Sequence, residues 1–327
     1  MSKTISSQAD FTAHPVSPTL GAEIRGLDLS QPLGPATASA LADALDRHLV
    51  LVFRGQTLSD ADLVRVSGHF GPLDKAPITE NGRLHAPGHE EVYVISNVME
   101  NGRPIGALGA GESVWHADMT YLETPPYASS LYALEVPAEG GDTGFLSMFA
   151  AYDALPDALK RRVEGLSIKH DSTTNSGGYL RQGFAASADV ATSPGTVHPL
   201  VITHPVTGAK ALLLGRRPHA HIPSLSVAES EALLDEVWAA AVRPELAWHH
   251  RWRVGDLVMW DNRWTMHRRD PFPDEQRRRM HRTQIAVPAD RLRTAADIRR
   301  EFGNIPKRPD TGANFAPGFN SALPAGR

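Results

Sequence analysis

Residues 254–267 read VGDLVMWDNRWTMH, and residues 277–282 read RRRMHR. The first stretch predicts a strand, a tight turn and a second strand that carries His267, and the second predicts a cluster of arginines on a further strand. Together with His116 and Asp118 far upstream, His267 supplies two imidazoles and one carboxylate. That is the ligand set of non-haem Fe(II) oxygenases. Arginines just beyond the last ligand indicate that a small di-acid shares the metal.

The spacing of His116 and Asp118 fits a pair of metal ligands. Side chains two residues apart on a strand point to one face, so both can reach adjacent positions on one ion. The chain has 15 histidines, however, and a single His-x-Asp is expected by chance. A hydrogen-bonded pair at the end of a surface strand is the alternative that this spacing by itself leaves open.

The composition sets limits on the class of protein. The chain has 327 residues, 41% of them hydrophobic, so a sizeable core can be buried. A formal net charge of -4 provides no basic footprint, and we expect no nucleic-acid partner. The sequence contains no cysteine, which excludes disulfides, iron–sulfur clusters and thiolate zinc sites and leaves His, Asp and Glu as metal ligands.

No targeting or membrane segment is predicted. Residues 1–10 contain no apolar run of the kind found in a signal peptide. No stretch approaches the roughly 18 apolar residues that a membrane helix needs. We therefore expect a cytoplasmic protein without a membrane partner.

Many short strands and a few helices are predicted along the chain. Apolar residues at helical spacing predict helices at residues 37–48, 59–70, 150–164 and 226–242. Strands are predicted at residues 50–53, 92–96, 128–136, 200–204 and 211–214. Lid loops are predicted at residues 74–90 and 101–112, and a flexible insertion at residues 173–197. This order favours a mainly β fold decorated by helices over a doubly wound sheet.

Four motifs in combination carry a resemblance to a known family. They are Trp-His-x-Asp at residues 115–118, Gly-Gly-Asp-Thr at 140–143, Gly-Asp-Leu-Val-Met-Trp-Asp-Asn-Arg at 255–263 and the arginine-rich strand after the last histidine. By these motifs the chain resembles the taurine dioxygenase / 2,4-dichlorophenoxyacetate dioxygenase family of Fe(II)- and 2-oxoglutarate-dependent oxygenases. The resemblance runs from about residue 20 to about residue 287.

The resemblance implies a fold and a domain organisation. We expect a double-stranded β-helix core (a jelly roll, cupin-like) that is decorated by helices and long lid loops. A single dioxygenase domain of this kind is predicted over residues 1–303. A tail rich in Pro and Gly is predicted at residues 304–327, where the resemblance ends.

The resemblance also implies roles for individual residues around the metal. His116, Asp118 and His267 would bind Fe(II) on one triangular face and leave positions open for 2-oxoglutarate and for water or O2. Thr143 and Arg278 would hold the carboxylates of 2-oxoglutarate. Strand alternation favours residues 278, 280 and 282 on the inner face and residues 277, 279 and 281 on the outer face. A solvated, salt-bridged strand is the alternative for this arginine run.

Three residues are candidates for contact with the substrate. The resemblance implies that Arg282 anchors an anionic group, although the residue could instead pair with Asp261 or another nearby acid. Tyr121 would line the pocket or, equally well, serve as a core aromatic. Asn97, at the end of the strand before the second lid loop, is a weaker candidate for contact with substrate or co-substrate.

The activity implied by the resemblance is the hydroxylation of an unactivated C–H bond of a small anionic molecule, with release of succinate and CO2. Sulfonates, aryloxyalkanoates and other carboxylic acids are the expected substrates, and a hydroxylated product that carries a leaving group would collapse to a carbonyl compound. We also expect a homo-oligomer. A zinc hydrolase with the same three ligands and a non-catalytic jelly-roll binding protein are the rival hypotheses, but the first leaves Thr143 and the arginines without a function.

Overall fold

The computed structural model describes residues 10–79, 82–110, 113–186, 189–205 and 207–288. Its strands are β1 Thr12–Pro15, β2 Ala22–Arg25, β3 Val50–Phe53, β4 Leu73–Asp74, β5 Ile78–Thr79, β6 Gly82–Arg83, β7 His85–Ala86, β8 His89–Ser96, β9 Met99–Glu100, β10 Arg103–Pro104, β11 Ala107–Leu108, β12 Ser113–His116, β13 Ala128–Glu135, β14 Thr143–Ser147, β15 Ser167–Asp171, β16 Gly195–Pro199, β17 Val201–Thr203, β18 Lys210–Leu212, β19 Ala247–His250, β20 Leu257–Asp261, β21 Thr265–Arg269 and β22 Arg279–Ile285. The helices are α1 Pro35–His48, α2 Asp60–Gly68, α3 Met148–Asp153, α4 Asp157–Val163 and α5 Val227–Ala241, with a short 3-10 helix at Pro244–Leu246.

Two mainly antiparallel sheets organise the fold. The larger has the strand order β1-β2-β3-β20-β13-β22-β8-β11, with β4 added at β22 and β7 at β8. The smaller has the order β12-β21-β14-β19. Strands β20 and β21 are consecutive in sequence but lie in different sheets, so the turn between them carries the chain from one sheet to the other. The prediction of a mainly β protein with a few helices is confirmed.

Apolar residues fill both faces of the larger sheet. On β20, Val258 and Trp260 belong to one buried cluster, while Leu257 and Met259 belong to the other. This alternation follows from the two-residue period of a strand. The second cluster also contains Leu41 and Leu45 of α1 and residues of α2, so these helices cover the sheet's second face.

The helix predictions hold except at one position. Helix α1 begins at Pro35, and α2 and α5 each begin with a capping box, at Ser59 with Asp62 and at Ser226 with Glu229. The single helix predicted at residues 150–164 is wrong: the chain forms α3 and α4, with Pro156 directly before α4. Proline lacks the amide hydrogen that a continuous helix requires, which explains the break.

The predicted lids contain more regular structure than expected. Strands β5 and β6 form a hairpin within residues 74–90, and β7 pairs with β8. In the second lid, β11 joins the edge of the larger sheet through a parallel pairing with β8. The predicted tail at residues 304–327 lies outside the described residues. Within the described part of the chain, no helix is long and apolar enough to cross a membrane.

Candidate active site

Three side chains far apart in sequence meet at one point in the protein. Ligand atoms of His116, Asp118 and His267 all lie within 4.8 Å of one another, and the three residues are buried. Nε2 of His116 is 3.5 Å from Oδ1 of Asp118, and Nε2 of His267 is 3.8 Å from the same oxygen. Both imidazoles therefore face a single carboxylate oxygen, as the ligands of one ion would.

Strand pairing brings the two histidines together. Strand β12 runs antiparallel to β21, and His116 is the register partner of His267. Their ring centroids are 4.2 Å apart. The Nδ1 atom of His116 lies 2.7 Å from the carbonyl oxygen of Val114. A hydrogen bond donated there fixes the tautomer and leaves Nε2 with its lone pair directed towards the site.

Asp118 reaches the site by a route that the sequence analysis did not predict. Strand β12 ends at His116, so Asp118 lies in the turn that follows rather than on the strand. The side chain of Asn262 holds that turn: its Oδ1 accepts from the Asp118 amide at 2.7 Å, and its Nδ2 donates to the Asp118 carbonyl at 2.9 Å. The turn between β20 and β21 thereby positions Asp118, which lies in the turn that follows β12.

Burial and neighbouring charges set the protonation states of the ligands. Burial alone would raise the pKa of the Asp118 carboxyl, but Arg282 and the two histidines outweigh it and hold the pKa well below its ordinary value. Burial lowers the pKa of His267 far below its ordinary value, and His116 adds to that effect. A deprotonated carboxylate and a neutral imidazole are the forms that coordinate a metal.

Arg282 pairs with the carboxylate of the ligand set. Its Nη2 atom lies 2.5 Å from Oδ2 of Asp118 and donates to Oγ of Ser129 at 3.1 Å. The Ser129 hydroxyl in turn donates to the same carboxylate oxygen at 3.1 Å. The sequence analysis left open whether Arg282 pairs with Asp261 or another acid, and that acid is Asp118; Asp261 pairs with Arg263. Arg282 also lines the adjoining cavity.

Arg278 is the most deeply buried arginine of the run. It is 2% exposed, and its Nε has no hydrogen-bond partner among the described residues. Burial lowers its pKa well below the ordinary value, and nearby Arg269 adds to the shift. Gly141 lies directly beside it, because a Cβ built there would come within 3.4 Å of Cδ and Nε of Arg278. The Gly-Gly-Asp-Thr segment therefore borders this guanidinium.

The predicted facing of the arginine strand is confirmed. Arg278, Met280 and Arg282 are buried, whereas Arg277 is exposed and pairs with Glu135. His281 faces the opposite side, as predicted, and is buried there. Its Nδ1 atom lies 2.5 Å from Oδ1 of Asp60, because α2 covers that side of the sheet.

Thr143 begins β14 in the smaller sheet, opposite Arg269 of β21. It is buried, and its Oγ1 accepts a hydrogen bond from Nε1 of Trp252 at 2.9 Å. Because the indole can only donate, the hydroxyl hydrogen of Thr143 remains available for an acceptor.

Asn97 is not among the residues that line the cavity beside the triad. Its Nδ2 donates to the carbonyls of Asp274 and Gln276, and its Oδ1 accepts from the Arg278 amide at 2.9 Å. The side chain therefore holds the segment that leads to Arg278. Contact of Asn97 with substrate or co-substrate stays a prediction.

The sequence analysis missed Arg269. It lies two residues after His267 on β21, so alternation directs both side chains to one face. Arg269 is 7% exposed and donates to the carbonyl of Leu108 at 2.8 Å. Burial lowers its pKa to about 10. The two-residue period that predicts one face for residues 278 and 282 likewise predicts that Arg269 shares the face of His267.

A cavity opens beside the triad. Tyr121 lines it, as predicted, and so do Arg282 and three residues that the sequence analysis did not single out for a role: His170, Arg181 and Arg216. His170 is 3% exposed, and neither of its ring nitrogens has a hydrogen-bond partner in the described part of the chain. Burial lowers its pKa far below the ordinary value, so this imidazole is neutral.

Known proteins are similar to this chain over most of its length. The chain is 37% identical over 277 residues to the alpha-ketoglutarate-dependent 2,4-dichlorophenoxyacetate dioxygenase of Cupriavidus pinatubonensis, covering 83% of this chain and 96% of the relative. It is 33% identical over 288 residues to pentalenolactone F synthase of Streptomyces avermitilis, covering 84% and 93%. The crystal structure of AAD-2 in complex with Mn(II) and N-oxalylglycine aligns with a TM-score of 0.68 at 32% identity, covering 84% of this chain and 97% of that one.

The family itself is matched over most of the chain. The model of the family described as taurine catabolism dioxygenase TauD, TfdA family matches residues 12–284. That span includes both sheets and all three residues of the triad. The resemblance inferred from four motifs is thus confirmed, and with it the prediction that the chain is an oxidoreductase. The chain belongs to the TauD, TfdA family of dioxygenases.

Proposed function

We propose that this chain is an Fe(II)- and 2-oxoglutarate-dependent dioxygenase that hydroxylates a C–H bond of a small organic anion. The observation that carries the proposal is the buried triad of His116, Asp118 and His267, in which both imidazoles face one carboxylate oxygen. The named relatives support it, because the one from Cupriavidus pinatubonensis is alpha-ketoglutarate-dependent.

The donor set fits Fe(II). Two neutral imidazoles and one carboxylate suit this ion, and three protein ligands leave positions open for other molecules. Cysteine, which would favour zinc or a cluster, is absent from the sequence. Bound iron would supply the redox chemistry that couples oxidation of 2-oxoglutarate to succinate and CO2 with insertion of an oxygen atom from O2 into the substrate.

Arg278 and Thr143 are the residues that we propose to hold 2-oxoglutarate. A buried guanidinium whose Nε has no acceptor among the described residues favours a carboxylate guest, since burial without a partner is costly for a charge. The guanidinium fork can bind both oxygens of a carboxylate, and the Thr143 hydroxyl has a hydrogen to donate. Arg269 adds positive charge on the same side of the site.

The substrate class follows from the cavity and from the relatives. We propose a sulfonate, an aryloxyalkanoate or another carboxylic acid, because the cavity beside the triad is lined by three arginines. The name of one relative specifies 2,4-dichlorophenoxyacetate as its substrate, an aryloxyalkanoate. If the hydroxylated carbon carries an aryloxy, sulfate or sulfonate group, the product collapses to a carbonyl compound and the released group. Tyr121 would form part of the substrate wall, and contact of Arg282 with the substrate remains a prediction.

We further infer that the two sheets are the halves of a double-stranded β-helix. The larger and smaller sheets exchange consecutive strands at the turn between β20 and β21, and the triad is assembled where β12 and β21 pair. This is the arrangement expected of a jelly roll, in which a chain alternates between two facing sheets. The homo-oligomeric state, the cytoplasmic location and the single domain over residues 1–303 remain predictions.

The test is a turnover assay with two metals. Purified, metal-free protein is supplied with Fe(II), 2-oxoglutarate, O2 and a panel of aryloxyalkanoates, alkyl sulfates and sulfonates, and succinate is measured. We expect succinate formation that depends on Fe(II) and rises when a substrate is present. Turnover of a panel member with Zn(II) and without 2-oxoglutarate would instead establish the hydrolase. No succinate with Fe(II), 2-oxoglutarate and any panel member would contradict the proposal.

A further inference from the structure

The arginine next to the metal site is held by a metal ligand. Nη2 of Arg282 lies 2.5 Å from Oδ2 of Asp118 and donates to Oγ of Ser129 at 3.1 Å. Arg282 therefore orients the ligand set in addition to any contact that it makes with the substrate.

A second pair of opposite charges balances in the wall of the cavity. Nη2 of Arg216 lies 3.0 Å from Oδ2 of Asp171 and donates to Oγ1 of Thr174 at 2.6 Å. Asp171 is buried and Arg216 is partly buried, with side-chain exposures of 1% and 11%. Asp171 also accepts hydrogen bonds from Thr173, so its carboxylate is occupied within the wall.

Arg181 is the cation of this wall that has no acid. Its guanidinium carbon lies 3.8 Å from the centre of the Tyr121 ring, and its Nε donates to the Thr174 carbonyl at 3.2 Å. No carboxylate pairs with it in the described part of the chain. Arg216 experiences the Arg181 charge directly, because that charge is one of the causes that lower the pKa of Arg216. The carboxylate of Asp171 pairs with Arg216 and leaves the charge of Arg181 without a partner acid among the described residues. The wall therefore holds an excess of one positive charge.

We propose that Arg181 binds the anionic group of the substrate. This assignment deepens the proposed function and rests on it. Stacking on Tyr121 and the hydrogen bond through Nε fix the plane of the guanidinium, so its two terminal nitrogens can form a fork with an oxyanion. Carboxylate, sulfate and sulfonate share that chemistry. Arg181 is a specificity-determining contact; Arg282 orients the Asp118 ligand, and its own contact with the substrate stays a prediction.

Arg181 also accounts for how the insertion at residues 173–197 contributes to the site. The insertion supplies Arg181, Thr174 and Asn175 to the cavity lining, which also includes His116 and Asp118. Asn175 fastens this segment, because its carbonyl accepts from Nη1 of Arg216 and its Oδ1 accepts from two backbone amides. A substrate anchored at Arg181 would lie across the cavity, with its other end towards the triad.

The experiment is a calorimetric titration under anaerobic conditions into protein loaded with Fe(II) and 2-oxoglutarate. The injected probes are 2,4-dichlorophenoxyacetate, octyl sulfate, octanesulfonate and the neutral 2-(2,4-dichlorophenoxy)ethanol. The variants are Arg181→Gln and Arg181→Lys, with Arg161→Gln as the control, since Arg161 is an exposed arginine of α4. The three anions separate carboxylate from sulfate and sulfonate, and the alcohol measures affinity without the charge.

We expect at least one anion to bind wild-type protein and to lose ten- to a hundredfold in affinity in Arg181→Gln, as the loss of a charge-assisted hydrogen-bonded pair implies. Arg181→Lys should retain part of that affinity, and Arg161→Gln all of it. Affinity for the alcohol should be the same in every variant. Equal anion affinity in wild type and Arg181→Gln would overturn the assignment, and so would a wild-type pocket that binds none of the anions. Failure of wild-type protein to bind Fe(II) with 2-oxoglutarate would instead refute the proposed function.

Discussion

Nη2 of Arg282 lies 2.5 Å from Oδ2 of Asp118, while Oδ1 of the same carboxylate faces both histidines. One oxygen of the ligand is thus held by an arginine and the other is directed at the metal position. A carboxylate fixed in this way favours binding of the metal through Oδ1 alone. The arginine that the sequence analysis assigned to the substrate therefore also orients a metal ligand.

Arg282→Gln should weaken metal binding about ten- to a hundredfold, because removing a side chain that holds a metal ligand in place typically costs that much metal affinity. Mn(II) affinity measured by calorimetry checks this. Arg277→Gln is the matched control from the same run, since Arg277 is exposed and pairs with Glu135. Equal Mn(II) affinity in Arg282→Gln and wild type would show that Arg282 does not orient the ligand.

Arg278→Lys should raise the Kd for 2-oxoglutarate ten- to a hundredfold, because an ammonium group cannot form the bidentate fork of a guanidinium. Calorimetric titration of 2-oxoglutarate into the Mn(II)-loaded protein measures the change. Arg279→Lys is the control one residue along, and it should alter the Kd less than twofold. A larger change in Kd for Arg279→Lys than for Arg278→Lys would show that Arg279, one residue along, faces the site instead.

Gly215→Ala should destabilise the protein more than Gly208→Ala. Both glycines have a left-handed backbone, with φ of 61° and 72°, so an alanine pays about the same conformational cost at each. A Cβ at Gly215 would lie 1.9 Å from Nδ1 of His170, whereas nothing lies within 4 Å of a Cβ at Gly208. Crowding should add roughly 1–3 kcal/mol at Gly215. Urea unfolding of both variants measures the difference. Equal losses of unfolding free energy would show that His170 and its neighbours move to accommodate the added Cβ.

The unfolding free energy of metal-free protein should fall as pH drops below about 6.5, the ordinary pKa of histidine. His170 has a lowered pKa in the folded state because it is buried, so the unfolded state takes up a proton that the folded state does not. The loss continues until pH reaches the folded-state pKa. Urea unfolding at pH 7, 6 and 5 should show a shallower decline in His170→Gln than in wild type. His14→Gln, at an exposed histidine of β1, is the control, and an equal decline in all three proteins would contradict the assignment.

The sequence predicted those parts of the site that depend on local periodicity. Two-residue alternation identified the inner face of residues 278–282, and the strand-turn-strand pattern located His267. Local periodicity could not predict the position of Asp118, because the turn that contains Asp118 is held by Asn262, 144 residues away in sequence. Pro156 indicates a break between two helices, but the apolar spacing continues through it and by itself predicts a single helix.

The cavity wall could not be predicted for a different reason. Residues 173–197 show no helical or strand period, and their polar and glycine-rich composition predicts only a flexible insertion. The positions of Arg181 and Thr174 depend on side-chain contacts with Tyr121 and Arg216, which come from other parts of the chain. Such contacts leave no periodic signal, so residues of this kind become visible only once the chain is folded.

The most direct test of the central claim is the absorption spectrum of the Fe(II)-loaded protein on anaerobic addition of 2-oxoglutarate. If His116, Asp118 and His267 bind iron and leave adjacent positions for the co-substrate, a metal-to-ligand charge-transfer band should appear in the visible region. The band should be absent in His267→Ala, which lacks one ligand. A wild-type protein that binds Fe(II) but shows no band with saturating 2-oxoglutarate would contradict the account.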